Sequence, residues 1–419
     1  ELADDLGLDV AVVRRGRYKN APDQYTRRGM SPEQRESLEA YLDDVFEASR
    51  RAVSEARGLS LDEVDAVLAQ GTLTSSEALS RRLVDAVLYP DQLEDHLASL
   101  YGRRVSFARP ELGLEPERSA WAPPPRVALI SVDAAITGGE SASLPFGLGR
   151  TVGAETLIEA LEEARTRPEI RAVVLRVDSP GGEAVASDLI ARAVQRLAEV
   201  KPVIASFGDV AASGGYYVAA PASLIFAEPT TLTGSIGVFS LKVSAEALLG
   251  RLGVVADSVQ RGPLSNNKSM FHDQTPAERA VMEKEVGDAY GQFLRVVAAG
   301  RRMPLEKVRE VAEGRIWSGA DAAARGLVDR LGGLEEALAA AREAAGLSGP
   351  SEVLRLPRKE SGLSLASALL GVAAQPAPTL TELAPAALVR ALQALTGAAM
   401  IGAGRPLALL PVAIEHRDR

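Results

Sequence analysis

DVAASGGYYVAAP, residues 209–221, sets Ser213 directly before two glycines and among small or apolar residues. It follows the apolar run PVIASF (202–207) and leads into residues suited to a helix. A serine at such a strand-to-helix junction has two readings. One is a helix N-cap. The other is a nucleophile beside backbone that a ligand can approach closely. A serine hydroxyl attacks poorly until a neighbour takes its proton. Histidine is the usual acceptor, yet His96, His272 and His416, the three histidines of the chain, sit in no motif.

The surroundings of Ser213 read as an α/β unit. RVALISVD (126–133), AVVLRV (172–177), PVIASF and SLIFAE (223–228) are short apolar, β-branched runs that suit buried strands. Helical stretches at 154–166 and 184–200 alternate with them, which implies a parallel or mixed sheet covered by helices. With 419 residues the chain has room for two or three domains. Its net charge of −9 argues against nucleic acid as a partner, because phosphate binding needs a basic face. Cysteine is absent, so disulfides, thiolate metal sites and cysteine nucleophiles are excluded. No run of about 18 apolar residues suggests a membrane span.

An internal repeat organises the rest. Residues 31–85 resemble 275–329 at a constant offset of 244. Ser31-Pro32 matches Thr275-Pro276, Thr74 matches Ser318, and Leu83-Val84-Asp85 matches Leu327-Val328-Asp329. Each copy predicts a long helix with a Ser/Thr cap and Pro at its first position, stopped near Gly58 or Gly300. A full α/β unit precedes the second copy, whereas the first is preceded only by a short stretch beginning ELADDLGLDVAVV. The expected division is residues 1–108, the C-terminal half of a first repeat lacking its sheet half; 109–125, a Pro-rich linker; 126–348, a complete second repeat; and 349–419, an extension. Within the extension, 373–385 reads as another linker and RPLALLPVAIEHR (405–417) as a closing strand.

Three glycine-bearing motifs fall within the second repeat: DSPGGEA (178–184), AASGGYYVAAP (211–221) and TLTGSIGVFS (231–240). Acyl transfer needs a nucleophile and two N–H donors aimed at the developing oxyanion. Ser213 would be the nucleophile, and the Gly181 and Gly214 N–H groups the donors. In this order, Ser-Pro-Gly-Gly, Ala-Ser-Gly-Gly-Tyr-Tyr and Leu-Thr-Gly-Ser-Ile-Gly resemble the signal peptide peptidase A family, also called protease IV. The resemblance covers about residues 1–345 and looks like the long, two-repeat bacterial form, here without its N-terminal part. It implies the Clp-protease/crotonase type of fold and serine endopeptidase activity without a cofactor. It also implies extended apolar peptides such as released signal peptides as substrates. A homo-oligomer (a tetramer for the long form), a membrane anchor in the missing part, and an extracytoplasmic, periplasmic location complete the family pattern.

The family uses a Ser–Lys dyad, with the lysine three residues after a glycine; in long members it comes from the first repeat. Here Gly16 is followed by Lys19 in the first copy, whereas Gly262 is followed by Ser265 in the second. Lys19 is therefore the expected base, with Lys268 as runner-up. A free lysine titrates at about 10.4, and a working base near about 7–8, a difference of about 4 kcal/mol that burial among apolar groups supplies with the right sign. No carboxylate should stand beside it. Ser235, by the same resemblance, would orient the amine. Asp178 reads as a strand-end residue, Tyr216 and Tyr217 as packing or groove walls, and His272 as surface. Two other classes remain open: a crotonase-type acyl-CoA enzyme, which would need carboxylates beside Gly181, and a catalytically inactive peptide-binding homologue.

Overall fold

The computed structural model describes residues 2–104, 124–143, 149–348, 351–357 and 407–409. The linker reading of 109–125, except its last two residues, and that of 373–385 fall outside them. The chain forms two compact units, one of Glu1–Leu42 with Pro125–Arg419 and one of Asp43–Pro124.

In the larger unit the strands are β1 Asp9–Arg15, β2 Arg126–Val132, β3 Ala135–Thr137, β4 Ala142–Ser143, β5 Arg150–Gly153, β6 Ile170–Ser179, β7 Gly181–Glu183 and β8 Val203–Ala212. They continue as β9 Leu224–Ala227, β10 Leu232–Gly234, β11 Val238–Ser244, β12 Ile316–Ser318, β13 Arg330–Leu331, β14 Glu352–Leu356 and β15 Leu407–Leu409. They build two sheets of mixed direction, as the alternation of strands and helices predicts.

The first sheet runs β14-β2-β6-β8-β10-β12, with β9 and then β13 branching from β8. Its pairings are parallel except β10 with β12. Both faces are covered, which is why its strands read as unbroken apolar runs. Alternate residues go to opposite sides: Ala128, Ile130, Val173 and Leu175 join the large core, whereas Val127, Leu129, Ala172 and Val174 pack with Ala337 and Ala341 of the helix Leu334–Ala344. The large core is closed by the helices Ala154–Thr166, Ala184–Ala198, Gly214–Ala219 and Pro276–Arg301.

The second sheet has the order β1-β11-β15-β7-β3-β5-β4. β1, from the first-repeat part of the chain, pairs antiparallel with β11 from Asp9↔Ser244 to Arg15↔Val238. β7 continues directly from β6 across Pro180, so one chain segment links the two sheets.

The two long repeat helices are present as Pro32–Arg57 and Pro276–Arg301, the second opening with a Thr275/Glu278 capping box. Gly300 is not the stop of its helix. It lies inside the last turn, where a Cβ would come 2.1 Å from the Ala220 carbonyl oxygen, and the left-handed residue is Arg302. Glycine at 300 is required by close packing rather than by termination. The smaller unit is helical, with capping boxes at Ser60/Glu63 and Thr74/Glu77 and a two-point Arg50–Asp65 ion pair at 2.5 and 2.7 Å. Among the described residues no helix is long and apolar enough to cross a membrane.

Candidate active site

Ser213 stands at the end of β8, at the N-cap of the helix Gly214–Ala219. Its side chain makes no capping bond, and its backbone is held at φ +56°. That is a strained conformation for a residue with a Cβ, of the kind found at catalytic turns. Ser213 N–H donates to Gly234 O at 2.8 Å, which locks the turn to the end of β10.

Lys19 reaches this serine from the other repeat. β1 carries the chain along β11 to Gly16, which has φ +100° and leaves no room for a Cβ, since one would lie 2.6 Å from the Glu313 carbonyl carbon. Lys19 N–H then donates to Gly16 O at 3.0 Å, closing a tight turn that swings the side chain inward. The second repeat makes a similar, looser turn, with Ser265 N–H donating to Gly262 O at 3.4 Å and Gly262 at φ +91°. The glycine alignment of the two copies thus has a geometric counterpart, and a serine takes the lysine's place.

The Lys19 amine lies 2.6 Å from Ser213 Oγ and 3.0 Å from both Ser235 Oγ and Ser235 O. Lys19, Ser213 and Ser235 are each 0% exposed. Burial pushes the Lys19 amine well below the ordinary lysine range. Ser235, like Ser213, has a left-handed backbone, at φ +51°.

Gly181 and Gly214 are brought together as well. A Cβ on Gly214 would lie 3.0 Å from Gly182 N and 3.1 Å from Gly181 Cα, so the two glycine turns pack backbone to backbone. Gly181 N–H donates to Ser179 Oγ at 3.2 Å.

Lys268 stands elsewhere. Its amine is half-exposed, 3.7 Å from Glu285, and the place beside Ser213 is filled by Lys19. His272 is partly exposed and also engaged. It is half-buried between Glu278, at 2.7 Å, and Lys242, at 3.1 Å, and both of these are buried. Tyr216 and Tyr217 pack: the first donates to Leu327 O, and the second donates to Asp188 and stacks on Phe293 at 4.3 Å. Asp178 accepts from Val210 N–H at the strand end.

One residue essential to this geometry carries no motif. Gly314, at φ +74°, lies so close to the lysine turn that a Cβ would be 2.6 Å from Lys19 N. Its N–H donates to Ile236 O, and Arg315 O accepts from Ser235 N–H at 2.7 Å. Residues 313–315 therefore clamp the lysine turn against the Ser235 turn. The only sequence signal was a glycine in EGRIW.

The sequence matches the family described as peptidase family S49 over residues 1–103 and 195–348. It is 34% identical over 384 residues to the chloroplastic serine protease SPPA of Arabidopsis thaliana, covering 88% of this chain and 55% of that protein. Against Protease 4 of Salmonella typhi it is 33% identical over 363 residues, covering 83% of this chain and 57% of the relative. The chain thus spans a little over half the length of these curated relatives. Superposition on a mutant ClpP1 from Listeria monocytogenes covers 50% of this chain and 94% of the other, at 14% identity and a TM-score of 0.33, too loose to add to the fold described above. With its matched segments holding both Lys19 and Ser213, the chain belongs to peptidase family S49.

Proposed function

We propose that this chain is a serine endopeptidase working through a Ser213–Lys19 dyad. The observation that carries the reading is the buried lysine amine 2.6 Å from a strained serine hydroxyl. Neutral Lys19 accepts the proton of Ser213 as Oγ attacks a peptide carbonyl. The oxyanion takes the N–H groups of Gly181 and Gly214, the former leaving Ser179 Oγ to do so. The lysinium returns its proton to the departing amine, and water cleaves the acyl-enzyme by the same route. Ser235 offers two oxygens that hold the amine in line. Substrates are extended, apolar peptides such as released signal peptides. The working form is a homo-oligomer, a tetramer as in long members of the family, at the extracytoplasmic side of the bacterial membrane.

The acyl-CoA reading needs free carboxylates beside Gly181. The candidates nearest in sequence are engaged elsewhere: Glu183 accepts from Gly138 N–H, and Asp178 from Val210 N–H. The test is labelling with a fluorophosphonate, read by peptide mass spectrometry. A single adduct on Ser213, lost in Ser213→Ala together with hydrolysis of a quenched apolar peptide, is expected. Hydrolysis that survives Ser213→Ala would remove the proposal, and a chain that binds the peptide without cutting or labelling would favour the inactive homologue.

A further inference from the structure

Arg315 touches both of the turns that place the Lys19 amine. Its carbonyl oxygen accepts from Ser235 N–H at 2.7 Å, and Ser235 supplies the two oxygens that hold the amine. Its guanidinium grips Tyr18, the residue before Lys19. Arg315 Nη1 donates to the Tyr18 hydroxyl at 3.3 Å, and the group lies over the Tyr18 ring at 5.1 Å. Arg17 lies over the same ring at 4.7 Å. Tyr18 is buried, so its ring is a fixed point for the turn that Lys19 N–H closes onto Gly16 O.

A brace comes from the helix Pro32–Arg57. Glu36 accepts from the Tyr18 hydroxyl at 3.0 Å and from Arg315 Nη1 at 2.7 Å. The next residue, Ser37, accepts from Ile316 N–H at 3.3 Å, where β12 begins. Tyr18, Glu36 and Arg315 thus close a ring of hydrogen bonds beside the lysine turn. Glu36 is half-exposed, and such an ion pair adds little stability by itself. Geometry is the stronger reason for the ring. A lysine side chain is long and flexible, whereas proton transfer needs its amine within about 2.6–3.2 Å of the hydroxyl. Anchoring Tyr18 and Ser235 to one residue fixes the stem of the amine and its acceptors together.

We propose that Arg315 is a positioning residue of the dyad: its side chain, braced by Glu36, sets the Tyr18–Lys19 turn against the Ser235 turn and so holds the amine at Ser213. The consequence for turnover rests on the dyad reading; the coupling of the two turns does not.

Four chains are compared: the parent, Arg315→Ala, Glu36→Gln and the double variant. In Arg315→Ala, kcat for a quenched peptide is expected to fall by about tenfold to a hundredfold, the scale of a misplacement of about an ångström, with KM within about twofold. A fluorophosphonate labels Ser213 with a rate constant lowered by a similar factor, but to the same final extent. Partial misfolding would lower the extent and leave the rate constant, which would overturn positioning as the cause. Glu36→Gln, a near-isosteric change at a half-exposed site, shows the same pattern at about threefold and serves where Arg315→Ala folds poorly. The double variant is no slower than Arg315→Ala, because both changes open one ring. Arg315→Lys, which keeps the charge and a donor, recovers part of kcat. Amide hydrogen exchange at Tyr18, Lys19 and Ser235 rises together in Arg315→Ala, while that at Val173–Leu175 stays as in the parent. Unchanged kcat and labelling rate constant in Arg315→Ala would overturn the proposal, as would additive losses in the double variant. A parent chain that neither labels nor cuts would instead remove the dyad reading, and the exchange comparison would then decide whether Arg315 couples the two turns.

Discussion

Lys19 is destabilised as an ammonium where it stands, and that destabilisation is what the proposed role as base requires. Burial disfavours the ammonium, so its folded pKa lies well below the ordinary value of about 10.4. Between those two values the unfolded chain binds the extra proton and the folded chain does not, so stability rises with pH across that window. Lys19→Met removes this cost. The variant is expected to melt at a higher temperature than the parent at pH 7 while losing about a thousandfold in kcat/KM, the scale of a missing general base. Calorimetry and peptide hydrolysis on the same preparations check both halves; a variant that keeps its turnover refutes the dyad. The acid limb of kcat/KM reports the same amine, since protonation below its pKa removes the base. Ser235 Oγ is an acceptor that favours the ammonium, so Ser235→Ala moves that limb to lower pH and lowers kcat by about tenfold through a misplaced amine. A limb that stays in place would deny Ser235 its contact with the amine. Lys19 was legible in the sequence because it stands three residues after Gly16, the spacing that the family resemblance implies for the base. Gly314 was not, because what it must avoid is a turn that the sequence places almost three hundred positions upstream, and only the folded chain brings them together.

At the scale of elements, the strands legible in advance were those buried on both faces. β2, β6, β8 and β9 are apolar runs because helices cover both sides of their sheet. β3, β5 and β7 were missed, being three or four residues long and, at β7, mostly glycine, so neither periodicity nor apolar content marks them. The same limit hid the junction of β11 with the helix Pro276–Arg301. Glu278 is buried there at the helix N-terminus, with Lys242 of β11 at 3.1 Å and His272 at 2.7 Å. Burial pulls its carboxyl pKa upward, but the Thr275 N–H, His272 and Lys242 outweigh it and hold the value at about 2. A depressed folded pKa gives stability that is complete above the ordinary glutamate range and lost as pH falls toward 2. Glu278→Gln leaves Lys242 buried without its anion, at a cost of about 3 kcal/mol near neutrality, and flattens the fall in Tm between pH 5 and pH 2. Thermal melts across that range check both, and an unchanged slope would show that another group governs the acid limb of stability.

At the scale of the whole chain, the repeat and the compact units divide the sequence differently. The repeat is a record of similarity, whereas the units follow contacts, and the segment 1–42 is counted with the unit that contains the second repeat. The reason is β1, whose seven residues pair with β11 and bury Val13 in the large core before Lys19 enters the site. The proposed base and nucleophile therefore come from one polypeptide, Lys19 from the part ahead of the first repeat helix and Ser213 from the part ahead of the second. This has a consequence that separates it from a shared site between subunits. If Lys19→Met and Ser213→Ala chains are co-expressed, every chain lacks one member of its own dyad. With both members drawn from a single chain, no combination of the two rebuilds a site, and the mixed assembly is expected to hydrolyse peptide no faster than either variant alone. A dyad formed across a subunit boundary would instead regain roughly a quarter to a half of the parental rate, because mixed neighbours reunite an intact lysine with an intact serine. Tandem affinity tags on the two variants isolate the mixed species, so recovered turnover in that fraction would place β1 on a neighbouring subunit and overturn the single-chain site.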